Sequence, residues 1–172
     1  RLNAINLSDR LRNDSDSTGG IIEVFATGIP AGLGNPNFDG IENRMSRAIF
    51  GIPGVKGVAF GTGFDACDHL GSEENDPFVL EDGIVKTITN HCGGIQGGIT
   101  NGMPIVLRVG MKPTASISKP QPSFSFEKQE NTSLLIKGRH DPCIAVRAVP
   151  VVEAVVALVL LDFLVEIKKE LR

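Results

Sequence analysis

Five glycines fall within the ten residues from Gly93 to Gly102. No regular helix or long strand tolerates that density, because each glycine loses extra backbone entropy on ordering and offers no side chain to pack. The segment from His91 to Gly102 therefore reads as a loop and not a regular element. Glycine fills 20 of the 172 positions, above the ~7% usual for proteins, whereas the aromatic residues are nine Phe with no Trp and no Tyr. Backbone is thus the main contact material available to this chain. In Gly93-Gly94-Ile95-Gln96-Gly97-Gly98 several N–H groups share one side-chain-free stretch, which lets a flat ring or an anion approach closely. The segment is neither a Walker loop nor GxGxxG, and a ligand-contacting loop and a tight structural turn stand equally open.

A length of 172 residues suits one domain able to bury roughly 70% of its unfolded surface. The net charge of −3 provides no basic surplus for a phosphate backbone, so no nucleic-acid partner is expected. Cys67, Cys92 and Cys143 are odd in number and widely spaced, which fits neither a disulfide framework nor a CxxC site and favours a reducing, cytoplasmic setting. No signal peptide opens the sequence, but it begins at Arg1 rather than Met, which leaves room for a segment upstream. In the apolar stretch from Ala148 to Ile167, Glu153 and Asp162 limit the longest uncharged run to Ala154 to Leu161. That run is short of the ~20 residues a bilayer requires, and no membrane partner is expected. The two acids lie about 180° apart on a helix, so the stretch reads as a helix buried on more than one side.

Residues 1–18 form a charged lead-in, a surface helix or a disordered segment, and residues 19–172 the folded portion. Ile21 to Thr27 is β-rich between glycine-containing turns and predicts a strand. Asp39 with Glu42 three residues later suggests a capping box, and Phe38, Ile41, Met45, Ala48 and Ile49 recur at helical spacing until Gly51 and Pro53. Val55 to Phe60 predicts a strand, 61–78 a polar loop, and Phe78 to Asn90 a hairpin turning at Asp82-Gly83. Ile105 to Met111 and Thr132 to Lys137 predict further strands. Lys112 to Pro122 is a polar loop, and Phe124-Ser125-Phe126 is a short alternating piece. The turn Gly138-Arg139-His140-Asp141-Pro142 then leads into the C-terminal helix. Strands outnumber helices and their connections are short, so the class is α+β with mainly antiparallel sheet.

Two clusters carry chemistry. Lys112-Pro113-Thr114-Ala115-Ser116 offers an ammonium, two hydroxyls and free N–H groups after a strand, the equipment for holding a phosphate. A solvated surface turn has the same composition. Arg139-His140-Asp141 sets a fixed cation, an imidazole and a carboxylate side by side; enclosed, the Asp stays ionised as a base or proton relay while the Arg holds an anion. An Arg-Asp pair capping the helix start is the structural alternative. An anion-binding hydrolase built on these three residues ranks below the reading that follows. His69 and His91 match ordinary loop histidines, and Asp65, Cys67, Asp68 and His69 lack zinc spacing, so no metal is expected.

Taken in order, a series of segments resembles chorismate synthase. They are Asp16-Ser17-Thr18-Gly19-Gly20, Gly32-Leu33-Gly34-Asn35-Pro36 with Phe38-Asp39, Ile52-Pro53-Gly54-Val55-Lys56-Gly57, Asn90 through Gly102, Lys112 to Ile117, and Gly138-Arg139-His140-Asp141-Pro142-Cys143 running into Arg147-Ala148-Val149-Pro150. The resemblance covers about residues 16–165, with Gly51 and Gly54 standing where the family more often has Ser and Ala. It implies a β-α-β sandwich with helices between antiparallel sheets, in a homotetrameric enzyme. It also implies a shikimate-pathway lyase of aromatic amino acid biosynthesis, which eliminates phosphate 1,4-anti from 5-enolpyruvylshikimate 3-phosphate to leave chorismate. The family requires reduced FMN without net redox change.

On this resemblance Gly97 lies against the flavin and Pro53 and Gly54 line its pocket. Lys112, Pro113, Thr114, Ala115 and Ser116 hold the FMN phosphate, Arg139 contacts the flavin, Asp141 is the acid/base group near N5, and His140 has a supporting role. The family is roughly twice this long. Its N-terminal half carries two histidines, an Arg-Ser-Ser segment and the arginines that bind substrate and, in bifunctional full-length members, NADPH; no segment here matches them. The expectation is a C-terminal portion with impaired turnover on its own, cytoplasmic unless plastid-targeted in a plant. The competing expectation is a non-catalytic fragment that retains oligomerisation and partial flavin-binding surfaces.

Overall fold

The computed structural model describes residues 2–170. Its centre is β7 (Ile105–Met111), whose residues alternate between buried and half-buried along all seven positions. The period of two places Ile105, Leu107, Val109 and Met111 on one face. β1 (Gly20–Ala26) and β2 (Val55–Phe60) flank it, giving a three-stranded sheet in the order β1-β7-β2 with both pairings antiparallel. Gly20 pairs with Met111 and Ala26 with Ile105, while Val55 pairs with Met111 and Phe60 with Leu107 across a bulge between Val55 and Gly57.

Two helices cover the buried face. α2 (Ile41–Phe50) contributes Ile41, Met45 and Ile49, four residues apart and fully buried. α4 (Ala145–Glu170) contributes Val152, Val156, Leu160 and Phe163 to the same cluster. Each such side chain adds ~1.5–3 kcal/mol on leaving water. The other sheet face leaves Ile21 and Phe25 exposed. The layers are thus one antiparallel sheet and one pair of helices, within the α+β class expected.

The remaining elements are small. α1 (Leu2–Asn13) resolves the lead-in as a helix. α3 (Gly71–Glu74) and two 3-10 turns, Asn37–Asp39 and Gly63–Asp68, add short helical pieces. β3 (Phe78–Glu81) pairs with β4 (Ile84–Thr87), and β5 (Ile95–Gln96) with β6 (Ile99–Thr100). β8 (Gln121–Ser125) pairs with β9 (Glu130–Leu134).

Several local expectations are corrected. The glycine-dense segment does contain regular structure, because Ile95 and Thr100 are each buried and the hairpin turns at Gly97-Gly98 with positive φ. Residues 61–78 are largely helical turns. α2 begins at Ile41 behind Gly40 with no side-chain cap; Asp39 instead clamps Arg44 through both carboxylate oxygens, at 2.7 and 2.6 Å. α4 buries a single stripe, leaving Val146, Val149, Val151, Leu158, Leu161 and Val165 exposed, because only one helix layer face meets a sheet here. By length and composition α4 also matches a membrane-spanning helix over Ala145–Lys168, a test that core helices pass as well; its Val152 to Phe163 stripe packs in the core.

Candidate functional site

Antiparallel pairing brings the start of β1, the start of β2 and the end of β7 to one end of the sheet, and their connecting loops are tied together there. The Lys112 N–H donates to the Gly54 carbonyl at 2.9 Å. Ser17 Oγ donates to the Thr114 carbonyl at 2.7 Å across 97 residues of sequence. The Thr18 N–H donates to the Pro142 carbonyl at 2.8 Å, and Thr114 Oγ1 to the Asp141 carbonyl at 3.4 Å. Gly19 passes so near the Met111 carbonyl and the Pro113 ring that a side chain would collide with both. Pro53, Gly54, the whole Lys112 to Ser116 loop, Arg139, His140 and Asp141 therefore share one end of the molecule.

Two adjoining cavities open there. One, of about 390 Å³, is lined by residues including Arg12, Asp16, Ser118, Arg139, His140 and Asp141. The other, of about 430 Å³, includes Thr18, Arg12, Arg139, Asp141, Cys143 and Arg147. The Asp141 carboxylate accepts Arg147 Nη1 at 2.7 Å. Asp16 accepts the Lys119 ammonium at 3.0 Å, and that hydrogen bond, with one from the Ser17 N–H, holds its carboxyl below the usual range. His140 Nε2 lies 3.2 Å from the Ile136 carbonyl, which can only accept, so this nitrogen carries the proton and the ring is tethered to its own loop. Arg12, Lys112 and Arg139 are exposed and form no ion pair among the described residues. Two of these cations, Arg12 and Arg139, line both cavities beside two carboxylates already engaged, Asp16 and Asp141, and together make a site for an anion, whereas Lys112 lines neither cavity. Arg12 and Arg147 were not among the residues picked out in the sequence as site members. Neither has a local signal, since Arg12 sits in a helix remote in sequence and Arg147 in the first turn of α4.

Gly97 lies at the opposite end. The Gly93 carbonyl accepts the Val106 N–H at 3.1 Å, the Val106 carbonyl accepts the Gly61 N–H at 2.9 Å, and the Ile41 N–H donates to Gly98 at 2.9 Å. Gly61 and Gly93 approach so closely that neither tolerates a Cβ. Gly97 is exposed at the hairpin tip with φ +61° and open space beside it. Its neighbour Gly98 sits at the N-terminus of α2 whereas Pro53 follows the C-terminus, and the ten-residue helix between them is ~15 Å long. The seven residues of β7 put Lys112 ~20 Å from the Ile105 end.

The loop is held by a residue the sequence reading passed over. Asp76, with its side chain 1% exposed, accepts Thr89 Oγ1 at 2.6 Å and the N–H groups of His91 and Cys92 at 2.8 and 2.9 Å. Burial alone raises its pKa, and the hydrogen bonds from Cys92, Thr89 and His91 outweigh that and lower it to about 2. Burial and the neighbouring Asp76 push the Cys92 thiol up to about 11, so it is unreactive. Nearby, Glu74 accepts Thr62 Oγ1 at 2.5 Å and pairs with His69 Nδ1 at 2.7 Å, which raises the histidine's pKa.

A family model described as chorismate synthase matches residues 3–165. The chain belongs to the chorismate synthase family. The match takes in α1, beyond the segments in which the resemblance is legible by eye. The chorismate synthase of Archaeoglobus fulgidus is 55% identical over 150 residues, covering 87% of this chain and 42% of that protein. That of Dehalococcoides mccartyi strain BAV1 is 49% identical over 156 residues, covering 91% and 43%. A crystal structure of chorismate synthase superposes with a TM-score of 0.77 at 33% identity, covering 95% of this chain and 42% of that one. The chain thus spans about two-fifths of the length of the relatives it matches.

Proposed function

We propose that this chain supplies one part of a chorismate synthase active site, a lyase that eliminates phosphate 1,4-anti from 5-enolpyruvylshikimate 3-phosphate to give chorismate. The observation that carries the reading is the gathering of Lys112 to Ser116, Arg139 and Asp141 at one end of the sheet with their cations unpaired. Family membership adds reduced FMN, and the chain's residues fit its anionic and planar parts. Lys112 with the Thr114 and Ser116 hydroxyls would hold the phosphate, and Arg139 and the Pro53-Gly54 backbone would lie along the rings. When bound, the cofactor supplies electron density and a seat for the departing hydrogen. Asp141, oriented by Arg147, accepts or returns a proton at its carboxylate oxygen, and the tethered His140 excludes alternative loop positions. NADPH use and a homotetramer belong to the same reading of the whole enzyme.

Titration of the chain with FMN, followed by flavin fluorescence, tests this. Lys112→Ala is expected to weaken FMN about tenfold, the worth of one charge-assisted hydrogen bond. An unchanged affinity would return the loop to a surface turn. A second reading is a non-catalytic portion that keeps an association surface and partial flavin contacts, and it draws on the exposed apolar stripe of α4. Anaerobic assay with reduced FMN and substrate, with the rest of the enzyme supplied as a second polypeptide, separates the two: recovered chorismate formation excludes the second, whereas normal turnover by this polypeptide alone would overturn both.

A further inference from the structure

Arg12 has no part in the FMN reading and belongs to none of the segments in which the family resemblance is legible. It sits in the last turn of α1 and, like Arg139, lines both cavities. The carboxylates in those walls are committed elsewhere, Asp16 to the Lys119 ammonium at 3.0 Å and Asp141 to Arg147 Nη1 at 2.7 Å. The His140 imidazole apart, these two pairs cancel among the lining residues and their ion-pair partners, so Arg12 and Arg139 remain as a surplus of two positive charges. The negative end of the α1 dipole does not offset that surplus, because its last carbonyls are engaged. The Arg10 carbonyl accepts the Asp14 N–H at 2.9 Å, that of Leu11 the Asp16 N–H at 2.9 Å, and that of Arg12 the Ser15 N–H at 3.3 Å. Ser15 adds a hydroxyl to the same wall. Two guanidinium forks with a surplus of two charges match a phosphate monoester dianion.

We propose that Arg12 is a substrate-binding residue: with Arg139 it seats the phosphate group that the reaction removes, apart from the FMN phosphate on the Lys112 loop. The identity of this anion rests on the FMN reading above, whereas the seat itself rests on the cavity and its charges. Lys112, Thr114 and Ser116 line neither cavity, so a phosphate on that loop leaves the arginine pair free for a second one. Elimination breaks the carbon–oxygen bond to phosphate, and its electron pair leaves on the phosphate oxygen. The pair of the broken C–H bond enters the new double bond, and the hydrogen departs, overall, as a proton. Guanidinium groups at the leaving oxygen stabilise its charge as it develops.

Inorganic phosphate, the product, is the probe, and phosphorus NMR titration of the chain reads its binding. Arg12→Gln keeps a good helix former and removes the charge. It is expected to weaken phosphate about tenfold, the worth of one charge-assisted hydrogen bond, and to leave FMN affinity within about twofold. Lys112→Ala is expected to do the reverse. Unchanged phosphate binding by the glutamine variant, or a loss of FMN in place of phosphate, overturns the proposal. Where that variant loses α1 by circular dichroism, product inhibition decides: in the complete FMN-loaded enzyme phosphate is expected to compete with substrate, and competition with FMN overturns the separate seat. An unmodified chain that binds FMN but no phosphate overturns this proposal alone. One that binds phosphate but no FMN overturns the FMN reading and leaves the arginine seat standing.

Discussion

Asp141 and Asp76 are both carboxylates in hydrogen-bonded loops, yet their surroundings assign them opposite duties. Asp141 borders both cavities and is held on one side by Arg147, with no other ion pair at its carboxylate among the described residues. In the complete FMN-loaded enzyme, Asp141→Asn should keep FMN affinity within about twofold and lower turnover by at least ~100-fold, because shape persists while basicity is lost. Unchanged turnover would make Asp141 a cap of α4. Asp76 is sealed beneath the glycine hairpin and serves only to hold it. Its folded pKa of about 2 lies below the ordinary 3.8, so its ionised form stabilises the fold fully above pH ~4, and that contribution is lost as pH falls through 2. Asp76→Asn should cost ~1–3 kcal/mol at pH 7, since one buried amide cannot accept what two carboxylate oxygens accept. Urea midpoints at pH 7 and pH 2.5 check this: the gap between the two proteins should narrow in acid.

The strands and helices were legible wherever periodicity was strong. Val55 to Phe60 and Ile105 to Met111 were bounded in sequence as the structure has them, since turn residues interrupt the alternation at both ends. The start of α2 was misread because Asp39 looks like a cap from its spacing to Glu42, whereas its real partner is Arg44. That arginine also pairs with Glu166 at 2.7 Å and Asp162 at 3.3 Å on α4 and lies 4.3 Å over the Phe163 ring. It ties α2 to α4, and no local pattern announces a contact that spans 122 residues. Arg44→Ala should destabilise by ~1–2 kcal/mol, from a partly exposed ion-pair network and a cation–π contact, lowering Tm by ~2–5 °C. A thermal melt followed by circular dichroism would show the network to be inert if Tm did not move.

Seen whole, the molecule has two chemically distinct ends and one uncovered helix face. The apolar stripe of Leu158, Leu161 and Val165 on α4 is exposed and opposes no element among the described residues. Replacing Leu158 and Leu161 by Glu should leave the unfolding free energy within ~0.5 kcal/mol, because neither side chain is in the core. The same change should reduce concentration-dependent association in sedimentation; a large loss of stability would instead mean that the face is packed. Composition, alternation and motif order carried the α+β class, the strand from Ile105 to Met111 and the family, because each depends on residues near in sequence. Which loops meet depended on antiparallel register alone: pairing Gly20 and Val55 with Met111 collects Pro53, Lys112 and Asp141 at one end of the sheet. The same register carries Gly97 to the other end, a separation that no spacing along the chain encodes because it is a distance across the fold.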